Sequence, residues 1–156
     1  MAAQRFGRAT LALNAFVIGK TGLEYINGTW AGAQPANYPT LATLFTANVF
    51  SGGPAVPLLT PFMGCAYLAV STINLAAALL FGAFESACVL GLSGVCFHIG
   101  MGVARLQMPA VLATHYLPGK QASLSYTQFF AGALCTVGCV SLLWAARVGK
   151  GVDKRA

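Results

Sequence analysis

The scarcity of charge constrains the fold of this chain more than any other feature of its sequence. Nine Lys and Arg and three Asp and Glu occur among 156 residues, so charged residues make up 8%. A soluble globular domain carries roughly 25%. Hydrophobic residues account for 57%, and the mean hydropathy is +0.71. This composition predicts an integral membrane protein and excludes a soluble enzyme, a nucleic-acid-binding domain and a disordered tail.

Four segments are candidates for transmembrane helices, each of which needs about 20 mostly apolar residues. The predicted spans are residues 9–26, 58–81, 87–104 and 127–146. Residues 27–57 are uncharged, rich in Gly, Pro and Asn, and only partly apolar. We expect this loop to lie at the membrane interface, to re-enter the membrane, or to be covered by a partner. The predicted fold class is all-α, a single domain of residues 1–156 with four transmembrane helices.

Basic residues at the two ends of the chain indicate its orientation. Arg5 and Arg8 lie near the N-terminus. The basic residues at the C-terminus are Arg147, Lys150, Lys154 and Arg155. Such residues favour the cytoplasmic or matrix side of a membrane, so we expect both ends on that side, which requires an even number of spans. The four C-terminal residues are also candidates for binding the head groups of anionic lipids such as cardiolipin.

Small residues recur at four-residue spacing in three of the predicted spans. They are Ala15 and Gly19 in the first span, Ala87, Gly91, Cys96, Gly100 and Ala104 in the third, and Ala131, Cys135 and Cys139 in the fourth. Lipid provides no hydrophobic drive for helix association, so close backbone approach at small residues supplies the attraction. The pattern predicts a compact bundle that packs against other helices.

Several polar side chains fall inside the predicted spans. His98 could bind haem or a metal, or relay protons, but a hydrogen-bonded packing role is the expected one. The only other histidine, His115, lies in the following loop, so haem held by two histidines is not expected. Asn14, Ser71 and Asn74 are expected to hydrogen-bond between helices. A cavity for a lipid or quinone head group is the alternative for Ser71 and Asn74.

Catalytic signatures are missing from the sequence. It contains no HExxH, no Cys-x-x-Cys and no phosphate-binding Gly-rich loop, and three acidic residues leave little for acid–base chemistry. We therefore expect no enzyme activity, no catalytic or metal site, and no cofactor other than a structural phospholipid such as cardiolipin.

Two segments carry a resemblance to a known family. Residues 61–79, PFMGCAYLAVSTINLAAAL, and residues 88–102, CVLGLSGVCFHIGMG, resemble the small four-span scaffolds of the endoplasmic reticulum that tether sterol-biosynthesis enzymes, the ergosterol biosynthetic protein 28-like family. The resemblance covers the second and third spans and carries over no functional residue. It implies a non-catalytic scaffold.

The leading expectation is a non-catalytic accessory subunit of a large membrane complex, placed in the respiratory chain of the mitochondrial inner membrane. The missing catalytic residues, the helix faces suited to docking and the uncharged loop that needs cover all favour it. The start, MAAQRFGRAT, is basic and free of acids, as organelle-targeted sequences are, and a thylakoid location fits nearly as well. Expected partners are other membrane subunits and anionic lipids. The alternatives are the sterol-enzyme scaffold and a small transporter or lipid-binding protein.

Overall fold

The residues that the structure describes form helices joined by short turns, with no β-strand. The structure is a computed structural model that describes residues 1–31, 55–107 and 116–153, with side chains in 1–27, 61–107 and 116–149. The helices are α1 (Ala2–Ala31), α2 (Ala55–Leu79), α3 (Ala83–Leu90), a π-helical segment (Gly91–Cys96), α4 (Phe97–Leu106) and α5 (Lys120–Asp153). The α3, π-helical and α4 segments are continuous, and residues 83–106 are called the composite helix below.

Three helices in the described part of the chain are long and apolar enough to cross a membrane. They are Pro61–Leu79 within α2, Ala83–Leu106 and Lys120–Gly149 within α5. α1, which contains Arg5, Arg8, Lys20 and Glu24, is not among them. The prediction of an all-α chain with transmembrane helices is confirmed in this coarser form, and the three apolar helices indicate an integral membrane protein.

The helix boundaries differ from the predicted ones. α1 ends at Ala31 and α2 begins at Ala55, so both helices extend into the segment 27–57 that is predicted to be a loop. α2 ends at Leu79 because Gly82, in an extended conformation (φ −64°, ψ 166°), is the N-cap of the next helix. That helix begins at Ala83, four residues earlier than predicted. Residues 32–54 lie outside the described residues, and with them the placement of the predicted loop.

The helices form an antiparallel bundle. α1 packs against α2 and α5, and the composite helix packs against α5. A Cβ atom on Gly7 would meet the Leu142 side chain, so the start of α1 and the C-terminal part of α5 lie at the same end of the bundle. The buried core consists of Leu11, Ala77, Ala78, Ala87, Leu90, Cys135 and Leu142. More than half of these residues are Ala or Cys. The helices therefore pack closely against one another, with few large side chains between them.

A pair of glycines sets the crossing of α1 and α2. A Cβ atom on Gly22 would lie 3.0 Å from the Gly64 carbonyl oxygen, and one on Gly64 would lie 3.0 Å from the Gly22 carbonyl oxygen. The two backbones can come this close only because neither residue has a side chain. Nearby, the Ser71 hydroxyl faces Gly19 and donates a 2.7 Å hydrogen bond to the Ala15 carbonyl oxygen.

Arg8 joins α1 to the turn between α2 and α3. Its Nη1 donates to the Ala78 carbonyl oxygen (2.6 Å) and its Nη2 to the Phe81 carbonyl oxygen (2.8 Å). Carbonyl groups at a helix C-terminus lack hydrogen-bond partners within the helix and carry partial negative charge. The Arg8 guanidinium supplies both the hydrogen bonds and a compensating positive charge. Glu85 lies in the first turn of α3, where a negative charge is favoured.

The glycine crossing makes Gly22→Ala informative. We expect this change to lower the free energy of unfolding in detergent by about 1–3 kcal/mol, because the new methyl group would lie 3.0 Å from both the Gly64 carbonyl oxygen and the Tyr67 Cβ atom. Thermal unfolding followed by circular dichroism measures the change. Gly100→Ala is the matched control, since a Cβ atom there meets nothing within 4 Å. Equal destabilisation by the two variants would contradict the crossing.

Candidate functional site

Five polar side chains meet inside the bundle and connect all four of its helices. Asn14 comes from α1, Asn74 from α2, Ser93 and His98 from the composite helix, and Gln128 from α5; together they are called the His98 network. Asn74 is fully buried, and Asn14 and His98 are each 5% exposed. Polar groups removed from water at this depth are costly unless they are hydrogen-bonded, so their partners determine whether the site is stable.

The hydrogen bonds of the network run continuously from α5 to α2. His98 Nδ1 lies 2.5 Å from Gln128 Oε1, and His98 Nε2 lies 2.9 Å from Asn14 Oδ1. Asn14 Nδ2 donates to Asn74 Oδ1 at 3.2 Å, and the Ser93 hydroxyl is 2.8 Å from the same oxygen. Asn74 Nδ2 donates to the Val70 carbonyl oxygen at 2.8 Å. Each amide in this series therefore has a partner.

The protonation of His98 is coupled to the orientation of Gln128. Both ring nitrogens face amide oxygens, which accept hydrogen bonds, whereas a neutral imidazole has only one N–H group. A doubly protonated ring satisfies both oxygens. A neutral ring donates from Nε2 to Asn14 and is satisfied at Nδ1 when the Gln128 amide turns over to present its NH₂ group. In either state the ring is fixed from both sides, as a packing histidine is expected to be.

The π-helical segment brings His98 to the inner face of the composite helix. The buried residues there recur at four-residue intervals, namely Leu90, Gly94, His98 and Gly102. In a regular α-helix of 3.6 residues per turn, each step of four would rotate about 40° further, so the face would drift by about 120° over three steps. A π-helical turn takes up an additional residue and offsets this drift. Gly94 also leaves room for Cys135, whose Sγ would lie 2.7 Å from a Cβ atom at that position.

Aromatic rings extend from the network toward the end of the bundle remote from Met1. The ring centroids of His98 and Phe97 are 5.4 Å apart, and those of Phe97 and Tyr67 are 5.7 Å apart in an edge-to-face arrangement. Tyr67 in turn lies 5.7 Å from Tyr25 of α1. These contacts join α1, α2 and α4 through geometries that aromatic rings favour.

Arg105, at the end of α4, is less well satisfied than the His98 network. Its Nε and Nη1 atoms are buried and have no hydrogen-bond partner in the described part of the chain, although the side chain lies within electrostatic range of Tyr25 and Tyr67. The Arg105 carbonyl oxygen accepts a 2.6 Å hydrogen bond from Gln121 Nε2, which joins α4 to the start of α5.

Most of the predicted packing residues lie at contacts between helices. Ala15 and Gly19 face α2 at Ser71, and Cys135 faces Gly94. The Cys139 thiol donates a 3.3 Å hydrogen bond to the Ala87 carbonyl oxygen, and Gly91 lies against Cys139. Ala131 is half-buried and lines a cavity of about 90 Å³ beside His98. All of these residues lie between helices of the same chain.

The remaining predicted packing residues face outward. Cys96, Gly100 and Ala104 are exposed and are called the outer stripe below. Each of them follows a residue of the inner face by two positions, which is a rotation of about 200° around a helix. They therefore lie on the side of the composite helix away from His98, where Cys96 borders a cleft that is lined also by Thr136 and Cys139 of α5. A Cβ atom on Gly100 meets nothing within 4 Å.

The C-terminal basic residues are only partly described. Arg147 is exposed and lies in a depression lined also by Phe84, Leu143 and Ala146. The side chains of Lys150, Lys154 and Arg155 lie outside the described residues. Lipid binding by these four residues therefore stays a prediction.

The polar side chains described inside the bundle bond to one another and to backbone carbonyl groups. Within residues 1–27, 61–107 and 116–149, no group of three or more His, Cys, Asp or Glu side chains is placed to hold a metal. Ser71 and Asn74, the candidates for a head-group cavity, instead hydrogen-bond to Ala15 and within the network.

The sequence does not identify Ser93 or Gln128 as members of the network. The sequence signal that could have identified them is the presence of a polar residue within an apolar helix. The π-helical segment, which aligns Ser93 with Asn74, cannot be recognised from the spacing of the apolar residues.

No protein-family model, curated protein or solved structure matches the chain. The interpretation of its function therefore depends on its own residues and their geometry.

A double-mutant cycle on Asn14 and His98 tests the network. We expect Asn14→Ala and His98→Ala each to lower the free energy of unfolding, because each leaves buried partners unsatisfied. The double variant is expected to lose about 0.5–2 kcal/mol less than the sum of the single changes, as residues that share a buried hydrogen bond do. Chemical unfolding in mixed micelles measures the free energies of unfolding of the two single variants and the double variant.

Thr72→Ala, combined with His98→Ala, is the control, because Thr72 is exposed and hydrogen-bonds within its own helix to Leu68. Additive energies for Asn14 and His98 would contradict the network.

Proposed function

We propose that this protein is a non-catalytic accessory subunit of a large multi-subunit membrane complex, and that it supports the assembly or stability of that complex. We place the complex in the respiratory chain of the mitochondrial inner membrane, on the basis of the basic and acid-free N-terminal segment. The single observation that carries the subunit proposal is the outer stripe of the composite helix.

The outer stripe has the properties of a helix-docking face. Cys96, Gly100 and Ala104 are small residues spread over two helical turns, and in the described part of the chain no atom lies within 4 Å of a Cβ atom built on Gly100. In a membrane, small residues at this spacing let the backbone of a second helix approach closely, whereas a face that contacts only lipid has no need of them. Among the described residues, Ala87, Cys135 and Cys139 are used in contacts within the bundle, whereas Gly100 is open, and a neighbouring membrane protein is the proposed occupant of this face.

The satisfied interior supports the same proposal. The His98 network fixes four helices relative to one another through amides, a hydroxyl and one imidazole, and no carboxylate takes part in it. Transport of ions or protons through a bundle generally requires several ionisable groups at bilayer depth. A bundle whose helices are held together by this network is suited to presenting its outer faces to partners.

We further propose that α1 is the fourth transmembrane helix and that both ends of the chain lie on the matrix side. α1 packs along α2 and α5, and its Asn14 lies at the same level as Asn74 and His98 of two apolar helices. A helix in this position shares the membrane with its neighbours, even though it carries more charge. The basic residues Arg5, Arg8 and Arg147 lie at one end of the bundle, where they favour the matrix leaflet and lipids such as cardiolipin.

The test is the size at which the chain migrates after gentle solubilisation of native membranes. We expect mass spectrometry to find it at fixed stoichiometry with one large complex. Gly100→Phe is expected to move most of the chain to small particles, because an aromatic ring on the outer stripe would prevent close helix approach while the bundle itself has room for it. Ala133→Phe, at an exposed small residue of α5, is the matched control and should leave migration unchanged.

Two results would contradict this proposal. Migration of the unmodified chain as a small particle would exclude a stable subunit. Substoichiometric association with several biosynthetic enzymes would favour the scaffold of the endoplasmic reticulum instead.

A further inference from the structure

A groove runs along the outer surface of the bundle between α1 and α2. Its volume is about 490 Å³. On α1 it is lined by Ala12, Ala15, Phe16, Gly19, Lys20 and Leu23, and on α2 by Leu68, Ser71 and Leu75. The depression exists because Ala12, Ala15 and Gly19 have little or no side chain, while Phe16 and Leu23 stand exposed beside them. The Ser71 hydroxyl is already used in its bond to Ala15, so the groove presents an almost wholly apolar surface.

The dimensions of the groove match one leaflet of a bilayer. From Ala12 to Leu23 the helix rises about 16 Å at 1.5 Å per residue. The hydrocarbon region of a single leaflet is about 15 Å deep, half of the full thickness of about 30 Å. Ala12 lies near the level of Asn14 and the His98 network in the middle of the bundle, and Leu23 lies toward its end. With α1 in the membrane, as proposed above, the groove extends from the membrane surface to about the bilayer midplane, so this inference rests on that proposal.

Lys20 places one positive charge at the surface end of this apolar groove. It is the only charged residue among those that line the groove, and it is exposed. Glu24, one turn further along, is buried and does not line the groove. A lysine at this level extends its ammonium group toward the lipid head groups while its methylene chain stays in apolar surroundings. A phospholipid carries a negatively charged phosphate joined to apolar acyl chains. The Lys20 ammonium group above the apolar groove is complementary to both parts of such a molecule.

We propose that the α1–α2 groove is a binding site for one anionic phospholipid, whose phosphate pairs with Lys20 and whose acyl chain lies along Ala12, Ala15 and Gly19. This site is separate from the C-terminal basic residues and from the outer stripe, and it does not depend on the subunit proposal. A second transmembrane helix is a poorer occupant, because Phe16 and Leu23 project on the same surface and prevent the close approach that such a helix needs.

The experiment uses the full chain reconstituted in phosphatidylcholine vesicles that contain a spin-labelled lipid in trace amounts. Electron paramagnetic resonance gives the fraction of labelled lipid whose acyl chain is immobilised on the protein. We expect labelled phosphatidylglycerol to be immobilised about fivefold more strongly than labelled phosphatidylcholine. Lys20→Gln is expected to lower this preference by about twofold or more, to the level that the basic residues at the ends of the chain sustain, and Lys20→Arg to preserve it.

Two further variants separate the groove from general surface attraction. Ala12→Phe fills the deep end of the groove and should reduce the immobilised fraction of both lipids, while circular dichroism shows that the fold is retained. Lys120→Gln removes an exposed lysine from the start of α5 and should leave the preference unchanged. An unaltered preference in Lys20→Gln, or an equal loss in Lys120→Gln, would overturn the proposal.

Discussion

The contact between His98 and Asn14 is the interaction on which the rest of the structure depends. It joins α4 to α1 across the bundle, and through Asn14 it reaches Asn74 on α2. Surrounding lipid is as apolar as the side chains of the helices, so packing of apolar residues does little to favour one rotation of a helix over another. Directional hydrogen bonds between buried amides and an imidazole do so strongly. Rotation of α1 by a single residue, about 100°, would remove Asn14 from both of its partners.

Small residues and the π-helical turn make this contact possible. The crossing of Gly22 and Gly64 brings α1 and α2 close together, and the same approach allows Asn14 to reach Asn74. On the composite helix, the π-helical segment keeps Leu90, Gly94 and His98 on one face. Without the additional residue in that turn, His98 would lie about 80° around the helix from Leu90 and would point less directly toward Asn14. The bond of Arg8 to the end of α2 then fixes the turn through which the composite helix begins.

The sequence is sufficient to predict the helices, but not which face of each helix packs against its neighbours. Long apolar segments identify three helices directly, and polar residues such as Asn14 and Asn74 in apolar surroundings indicate hydrogen bonding between helices. The outward direction of Cys96, Gly100 and Ala104 could not be predicted. Four-residue spacing is assigned to a helix face by assuming 3.6 residues per turn, and the π-helical segment changes the number of residues per turn. From the sequence Arg8 indicates only orientation, since nothing in its neighbourhood shows that the end of α2 folds back to it. Gln128 was overlooked because its role depends on a residue thirty positions away.

The two outer surfaces on which the proposals rest differ in kind. The outer stripe belongs to the composite helix and consists of small residues without charge, as close contact with another helix requires. The groove belongs to α1 and α2, is bordered by projecting Phe16 and Leu23, and has a cation at one end, as contact with a lipid requires. Because the two surfaces lie on different helices, an adjoining protein and a bound phospholipid do not compete for space. Under the two proposals, the bundle fills a position between a membrane protein and the surrounding lipid, and the His98 network holds its two faces in a fixed relation.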